Sequence, residues 1–225
     1  MSDSFEKLPT LWGRGDSTNV QKVIWACEEL GLTADRQLVG GKFGGTDTPE
    51  FAALNPNATV PVWQERDHTL WESQAILRHL ARQSGKLYGH GAWGAAHVDQ
   101  WLDWFATVLW PPVRLLFLQV FRNKTMTWND MPARKALEQT DRSLAVLADH
   151  LSDHTFIATE ELTIADIAVA IGLNRLHGMA APVEYSASIA IWFDLMRTRP
   201  GFTVATEAEP DLPGHRARRL AGMAR

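Results

Sequence analysis

A chain of 225 residues is long enough for one large domain or two small ones, and with 45% hydrophobic and 21% charged residues it has the composition of a soluble globular protein. A net charge of -4 and a pI near 6.1 leave no electrostatic footprint for nucleic acid or an anionic membrane. No apolar run approaches the roughly 18 residues that span a bilayer, the start MSDSFEKLPT does not read as a secretory signal, and a single cysteine forbids an internal disulfide, which fits a reducing cytoplasm.

The front third alternates strand and helix signals. Residues 8–12 form a short apolar run that meets the turn Gly13-Arg14-Gly15-Asp16. From Thr18 the pattern becomes helical, because Val20, Val23, Ile24, Cys27 and Leu30 recur at spacings of three and four, and Gly31 follows as a C-cap. Residues 36–39 read as a second strand leading into the loop GGKFGGTD, and Thr48-Pro49-Glu50 reads as a helix start with proline at the first helical position. A hairpin turning over residues 65–68 and a helix from Ser73 to about residue 83 complete the order β-α-β-α-β-β-α. After Gly85 the strand signals stop. Gly89, Gly91 and Gly94 mark a linker, and helices are predicted over 93–121, with a kink or a stop at Pro111-Pro112, over 131–151, from Leu162, and over 186–197. Residues from Phe202 onward read as a loosely held tail. Strands and helices followed by helices alone predict two domains, residues 1–85 and 93–225.

Three motifs carry chemistry or its support. Val60-Pro61 stands at the mouth of an apolar strand, where proline is tolerated because no ladder donor is lost, and X-Pro is the bond at which a cis peptide costs only about 0.5–1 kcal/mol. Glu72-Ser73 lies where a strand turns into a helix, and free N–H groups at a helix start suit a carboxylate. Thr163-Ile164-Ala165-Asp166 matches a capping box, with Leu162 and Ile167 placed for the flanking hydrophobic staple. The serine of the second motif is also read as a plain N-cap, and the proline of the first as an ordinary strand boundary.

Taken together and in this order, the three motifs resemble the cytosolic glutathione S-transferases, in particular bacterial members with a serine/threonine-asparagine active site. The resemblance implies an α/β thioredoxin-like N-terminal domain that binds glutathione, followed by an all-α helical domain that contributes the electrophile pocket. It implies a cis Val60-Pro61 whose Val60 backbone pairs with the cysteinyl part of glutathione, and Glu72 and Ser73 on the γ-glutamyl end. Lys42 and Phe43 fall over the glycyl end, with Lys42 read equally as a solvated surface lysine. The thiolate donor falls in Ser17-Thr18-Asn19, with Ser17 preferred, Thr18 its rival and Asn19 a second donor. A free thiol of pKa about 8.5 is mostly protonated at neutral pH, so a donor at the positive end of a helix favours the reactive thiolate. Trp12, Trp104 and Trp110, joined by Trp101, Phe117 and Phe121, are candidates for the electrophile pocket, most of them also readable as interhelical core. Asp99 and Asp103 lie on the helix that forms the dimer interface in relatives, and the resemblance makes one of them a candidate to reach the γ-glutamyl amine, of its own or of the neighbouring subunit.

The only tyrosines are Tyr88 and Tyr185, which argues against a tyrosine donor, and Cys27 lies on the apolar face of the first helix and is read as core rather than as a redox thiol. The eight histidines show no ligand spacing, so no metal site is expected. The expected activity is conjugation of glutathione to a hydrophobic electrophile by a cytoplasmic homodimer engaged in detoxification, with no nucleic acid and no membrane as partner. Two rivals remain: a glutathione-dependent disulfide or peroxide reductase using the same site, and a non-catalytic interaction module.

Overall fold

The structure, a computed structural model, describes residues 8–207. It divides into two units, the first comprising the chain up to Ser84 together with the segment that begins at Pro200, the second Gly85–Arg199.

In the first unit, β1 (Thr10–Trp12), β2 (Asp35–Gln37), β3 (Val62–Glu65) and β4 (His68–Trp71) form one sheet in the order β2-β1-β3-β4. β2 runs parallel to β1, and β3 runs antiparallel to both β1 and β4. Helices α1 (Thr18–Leu30), α2 (Pro49–Leu54) and α3 (Ser73–Ser84) interleave with the strands and give the expected order. The local signals act as read: Gly31 closes α1 in the left-handed conformation that glycine adopts without cost, at φ 65°, and the Thr48 hydroxyl accepts from the Phe51 N–H at 3.2 Å ahead of Pro49. The second strand begins and ends earlier than residues 36–39, and residues 38–40 instead carry the chain into the glycine loop.

The C-terminal segment departs from the sequence reading. Residues Pro200–Thr206 are a helix, α9, and it belongs to the first unit rather than forming a loose tail on the helical domain. A Cβ at Gly201 would sit 2.3 Å from Cδ1 of Trp25, so the missing side chain lets α9 lie directly on the fully buried Trp25 of α1. The Phe202 ring meets the same indole edge-on, with centroids 5.3 Å apart. The segment's polar composition hides a short apolar face made of Gly201, Phe202 and Ala205. The rest of the expected tail, 208–225, lies outside the described residues.

In the second unit, α4 (Gly91–Trp104), α5 (Trp110–Leu116), α6 (Met131–Asp153), α7 (Ile164–Gly178) and α8 (Ala187–Arg197) pack together. Pro111-Pro112 neither ends nor breaks the long helical stretch. Its turns widen at residues 105–109, where the Trp110 N–H reaches back five residues to the Phe105 carbonyl, and again at 117–122. The Thr107 hydroxyl donates to the Asp103 carbonyl at 2.8 Å inside the first of these wide turns. The resulting helix spans Gly91–Arg122, and one window in it reaches a mean hydropathy of 1.4. By length and composition it is therefore apolar enough to cross a membrane, which corrects the expectation that no run was. Its buried stripe, including Val98, Leu102, Phe105, Leu109, Val113 and Leu116, faces neighbours such as α6 and α7. A Cβ at Gly172 of α7 would meet the Phe105 ring at 2.6 Å, so the glycine makes room for that ring.

Asp166 anchors this unit. Its Oδ2 accepts from the Thr163 N–H at 2.9 Å and the Thr163 hydroxyl at 3.0 Å, and its Oδ1 accepts from the Ile157 N–H at 2.8 Å and the Trp192 indole at 3.2 Å. The expected capping box is therefore present. It does more than cap, because it also ties the 155–162 loop and α8 to the start of α7.

Candidate active site

Sheet register decides where the site falls. Gln37, Trp12, Val62 and Trp71 stand side by side across the four strands. That row is the last residue of β1, of β2 and of β4 and the first of β3, so four chain segments leave the sheet at one end. They are the 13–19 turn, the glycine loop with Lys42 and Phe43, Val60-Pro61, and Glu72-Ser73. Residues up to sixty positions apart are thus gathered at one edge of a rigid scaffold, the usual arrangement for binding loops.

Packing at that edge is tight. The Val60-Pro61 peptide is cis. A Cβ at Gly13 would lie 3.2 Å from Cβ of Val60 and 2.5 Å from Cγ2 of Val20, so glycine is required for the β1–α1 turn to pass against the proline loop. Arg14, which the sequence reading passed over, lays its guanidinium along Gly40 and Gly41 and pairs with Asp16 at 2.8 Å. A side chain at Gly41 would strike its Nε at 2.9 Å. The signal for Arg14 was the glycine pair itself, which leaves a flat backbone surface for a planar cation.

Ser17 is the N-cap residue of α1, and its carbonyl accepts from the Gln21 N–H at 2.9 Å. Its hydroxyl makes no cap hydrogen bond, although the residue is only 9% exposed. A plain N-cap role therefore does not account for the Ser17 side chain. Thr18 is buried beside it. Asn19, half-buried, uses its carbonyl oxygen to accept from the Lys22 ammonium at 3.0 Å, which leaves the two amide N–H donors unengaged among the described residues.

At the start of α3, Glu72 takes the left-handed backbone conformation at φ 69°, uncommon for a residue with a Cβ and a mark of functional turns. Its carbonyl accepts the first helical bond from the Ile76 N–H at 3.0 Å, so Ser73 occupies the first helical position and its N–H is one of the free donors at the positive end. Ser73 is 4% exposed and its hydroxyl has no partner among the described residues. Neither the Ser17 nor the Ser73 oxygen is sealed in the interior. Two helix starts with unengaged hydroxyls, set beside a backbone edge at Val60, form an arrangement that can hold an extended ligand with a carboxylate and a soft nucleophile.

Lys22, also passed over in the sequence reading, lies fully inside at 1% exposed. Burial pulls its ammonium from 10.5 down to about 7, and the Glu72 carboxylate pushes in the opposite direction. The unfolded chain keeps a proton that the native state gives up between these values, so this lysine makes stability rise with pH across that range. Lys22→Met is therefore expected to melt at a higher temperature than the parent near pH 7. That gap should narrow toward pH 10, as followed by thermal melts at both pH values, and a constant gap would count against the buried ammonium.

The remaining predicted residues are distributed as follows. Lys42 is exposed, with Nζ 5.4 Å from the Phe43 ring centre, and Phe43 lines a pocket with Trp12, Leu38, Phe51 and Leu54. Trp12 packs edge-on against Phe51 at 6.4 Å, and its indole donates to Gln64 at 2.9 Å. Trp104 and Trp110 belong to the second unit, where Trp104 meets Trp101 at 5.1 Å and Trp110 stacks on Phe105 at 5.8 Å. Trp101 is also held against His150 at 4.7 Å, which makes it core. The Asp99 carboxylate accepts from the Tyr88 hydroxyl at 2.8 Å. Cys27 is buried and forms no disulfide, in keeping with a core role.

The "Glutathione S-transferase, N-terminal domain" family profile matches residues 16–83, and the "Glutathione S-transferase, C-terminal domain" profile matches residues 121–190. The chain belongs to the glutathione S-transferase family. It is 31% identical over 195 residues to glutathione S-transferase GstB of Escherichia coli, covering 85% of this chain and 94% of that protein. Among solved structures it superposes on the theta class glutathione S-transferase of Xanthomonas axonopodis pv. citri with glutathione bound, at a TM-score of 0.82 and 32% identity, covering 89% and 97% of the two chains. It is also 35% identical over 139 residues to elongation factor 1-gamma of Trypanosoma cruzi, but that match covers 59% of this chain and only 32% of that protein.

Proposed function

We propose that this glutathione transferase binds glutathione across the four segments at the sheet end and activates its thiol with Ser17 and Asn19 for attack on a hydrophobic electrophile. The observation that carries the reading is the hydroxyl of the largely buried Ser17, which sits at a helix N-terminus, makes no cap bond and is not sealed in the interior. In the proposed pose the Val60 backbone pairs with the cysteinyl residue. Ser73 and the first N–H groups of α3 hold the γ-glutamyl carboxylate, and Glu72 faces the α-amino group. Opposite charges are needed there because that end of the ligand is a zwitterion. Lys42 and Phe43 cover the glycyl end, while Trp12, Trp104 and Trp110 supply apolar surface for the second substrate. Thiolate attack forms the carbon–sulfur bond as the leaving group departs, with the thiol proton released before the attack.

A homodimer in the cytoplasm with a role in detoxification fits this reading. For the homodimer, support comes from the exposed Val108 and Val146, which flank a groove between the long helix and α6. Comparing conjugation of chlorodinitrobenzene with glutathione-dependent reduction of a mixed disulfide tests the proposal on one preparation. Conjugation should dominate. Disulfide reduction without conjugation would assign the same site to a reductase, and failure to be retained on immobilised glutathione would remove both readings in favour of an interaction module.

A further inference from the structure

Lys22 is a buried cation for which the pose above has no use. It sits one turn along α1 from Asn19, donates to Asn19 Oδ1 at 3.0 Å, and is faced by the Glu72 carboxylate from the β4–α3 turn. Taking an ammonium out of water is costly, and an apolar side chain of similar length would fill the space between α1 and its neighbours more cheaply. Its position therefore calls for a role.

The chemistry of the amide supplies one. The terminal torsion of asparagine is broad and nearly two-fold, so an unrestrained amide presents either its oxygen or its nitrogen to a given direction. Only the nitrogen end stabilises a thiolate. The oxygen end repels it. While it is protonated, the lysine is a donor and never an acceptor, so it engages the amide through oxygen and turns the N–H donors away from itself. The positive charge also polarises the amide and strengthens those donors.

We propose that Lys22 is a positioning residue that acts through Asn19, locking and polarising the amide so that its N–H2 group is presented to the glutathione sulfur. The inference rests on the assignment of Ser17 and Asn19 as the thiolate donors. Lys22 itself touches neither substrate. It is also faced by Glu72, the group proposed for the γ-glutamyl amine, so one buried charge adjoins both halves of the glutathione site.

A double-mutant cycle tests it. Conjugation of chlorodinitrobenzene is measured for the parent, Asn19→Ala, Lys22→Met and the double variant, together with glutathione affinity by calorimetry. The pH at which the bound glutathione thiol ionises is followed by its ultraviolet absorption. Lys22→Met should lower kcat about tenfold, since part of a hydrogen bond to a charged group is lost, leave the glutathione KM within about twofold, and move thiol ionisation to higher pH. In the Asn19→Ala background the same change should cost less than about threefold. An equal factor in both backgrounds overturns the proposal, as does a rise in KM with kcat intact. Asn19→Asp guards against loss of folding at position 22, because it keeps an oxygen for Lys22 while an anionic oxygen takes the place of the N–H donors. It should lose kcat as Asn19→Ala does, and parental kcat in this variant also overturns the proposal. A parent that fails to conjugate at all would instead remove the transferase reading beneath it.

Discussion

Asp166→Ala is expected to lower the unfolding free energy by about 3–5 kcal/mol, the range for breaking a fully buried charged network. The carboxylate is completely inside and accepts four hydrogen bonds from three separate elements. Burial pushes its carboxyl above the ordinary range, and the Ile157 N–H, Thr163 N–H, Thr163 hydroxyl and Trp192 indole oppose that shift. Alanine strands these donors in the interior, and each unsatisfied group costs about 1–3 kcal/mol before relaxation. For a chain of this size the melting temperature should fall by on the order of 10 °C. Far-ultraviolet circular dichroism follows the transition, since ten tryptophans share the intrinsic fluorescence. Asp166→Asn keeps one acceptor but turns an amide N–H2 toward existing donors, so it should recover only part of the loss. A variant melting within about 2 °C of the parent would show that the cap is peripheral. Glutathione affinity of the molecules that remain folded should be unaffected, since the network lies in the second unit and the proposed donors lie in the first.

How the sequence announces these features follows from what sets each of them. Helix starts are local, so Thr48-Pro49, Thr163 with Asp166, and Gly31 were readable from single residues and short spacings. The gathering of residues 17, 60 and 73 was readable only through the family resemblance, because it depends on β1, β3 and β4 meeting in register. Lys22 went unnoticed for a related reason. A lysine one turn from an asparagine reads as a solvated helix face, and only the packing of α1 against α3 and α9 turns that face inward. The α9 helix was missed because its apolar face is three residues wide and its partner, Trp25, lies far away in sequence. The wide turn before Pro111-Pro112 is not specified by the proline pair alone, because two missing donors disturb a helix without saying whether it breaks or widens.

Ser17→Ala should lower turnover about 10- to 100-fold and raise the pH at which bound glutathione ionises by roughly 1–2 units. Both follow from losing a hydrogen bond worth about 1.5–3 kcal/mol to the thiolate. The free thiol titrates near 8.5, so without a donor most bound glutathione stays protonated at neutral pH and the attacking species is scarce. The helix start itself should survive the change. The α1 N-terminus is held through the Ser17 carbonyl, which alanine keeps, while the hydroxyl makes no cap bond whose loss would matter. A serine that truly caps loses about 0.5–2 kcal/mol on truncation, so the melting temperature separates the two roles. An unchanged melt with reduced turnover identifies a hydroxyl that serves the ligand, whereas a lowered melt with normal pH dependence identifies a cap. Thr18→Ala is the control, since Thr18 adjoins Ser17 and is also buried. If Thr18→Ala moves the ionisation of bound glutathione and Ser17→Ala does not, the donor is Thr18. Asn19→Ala measured beside them apportions what remains, because a thiolate that retains one of two donors should lose less than the product of the separate factors.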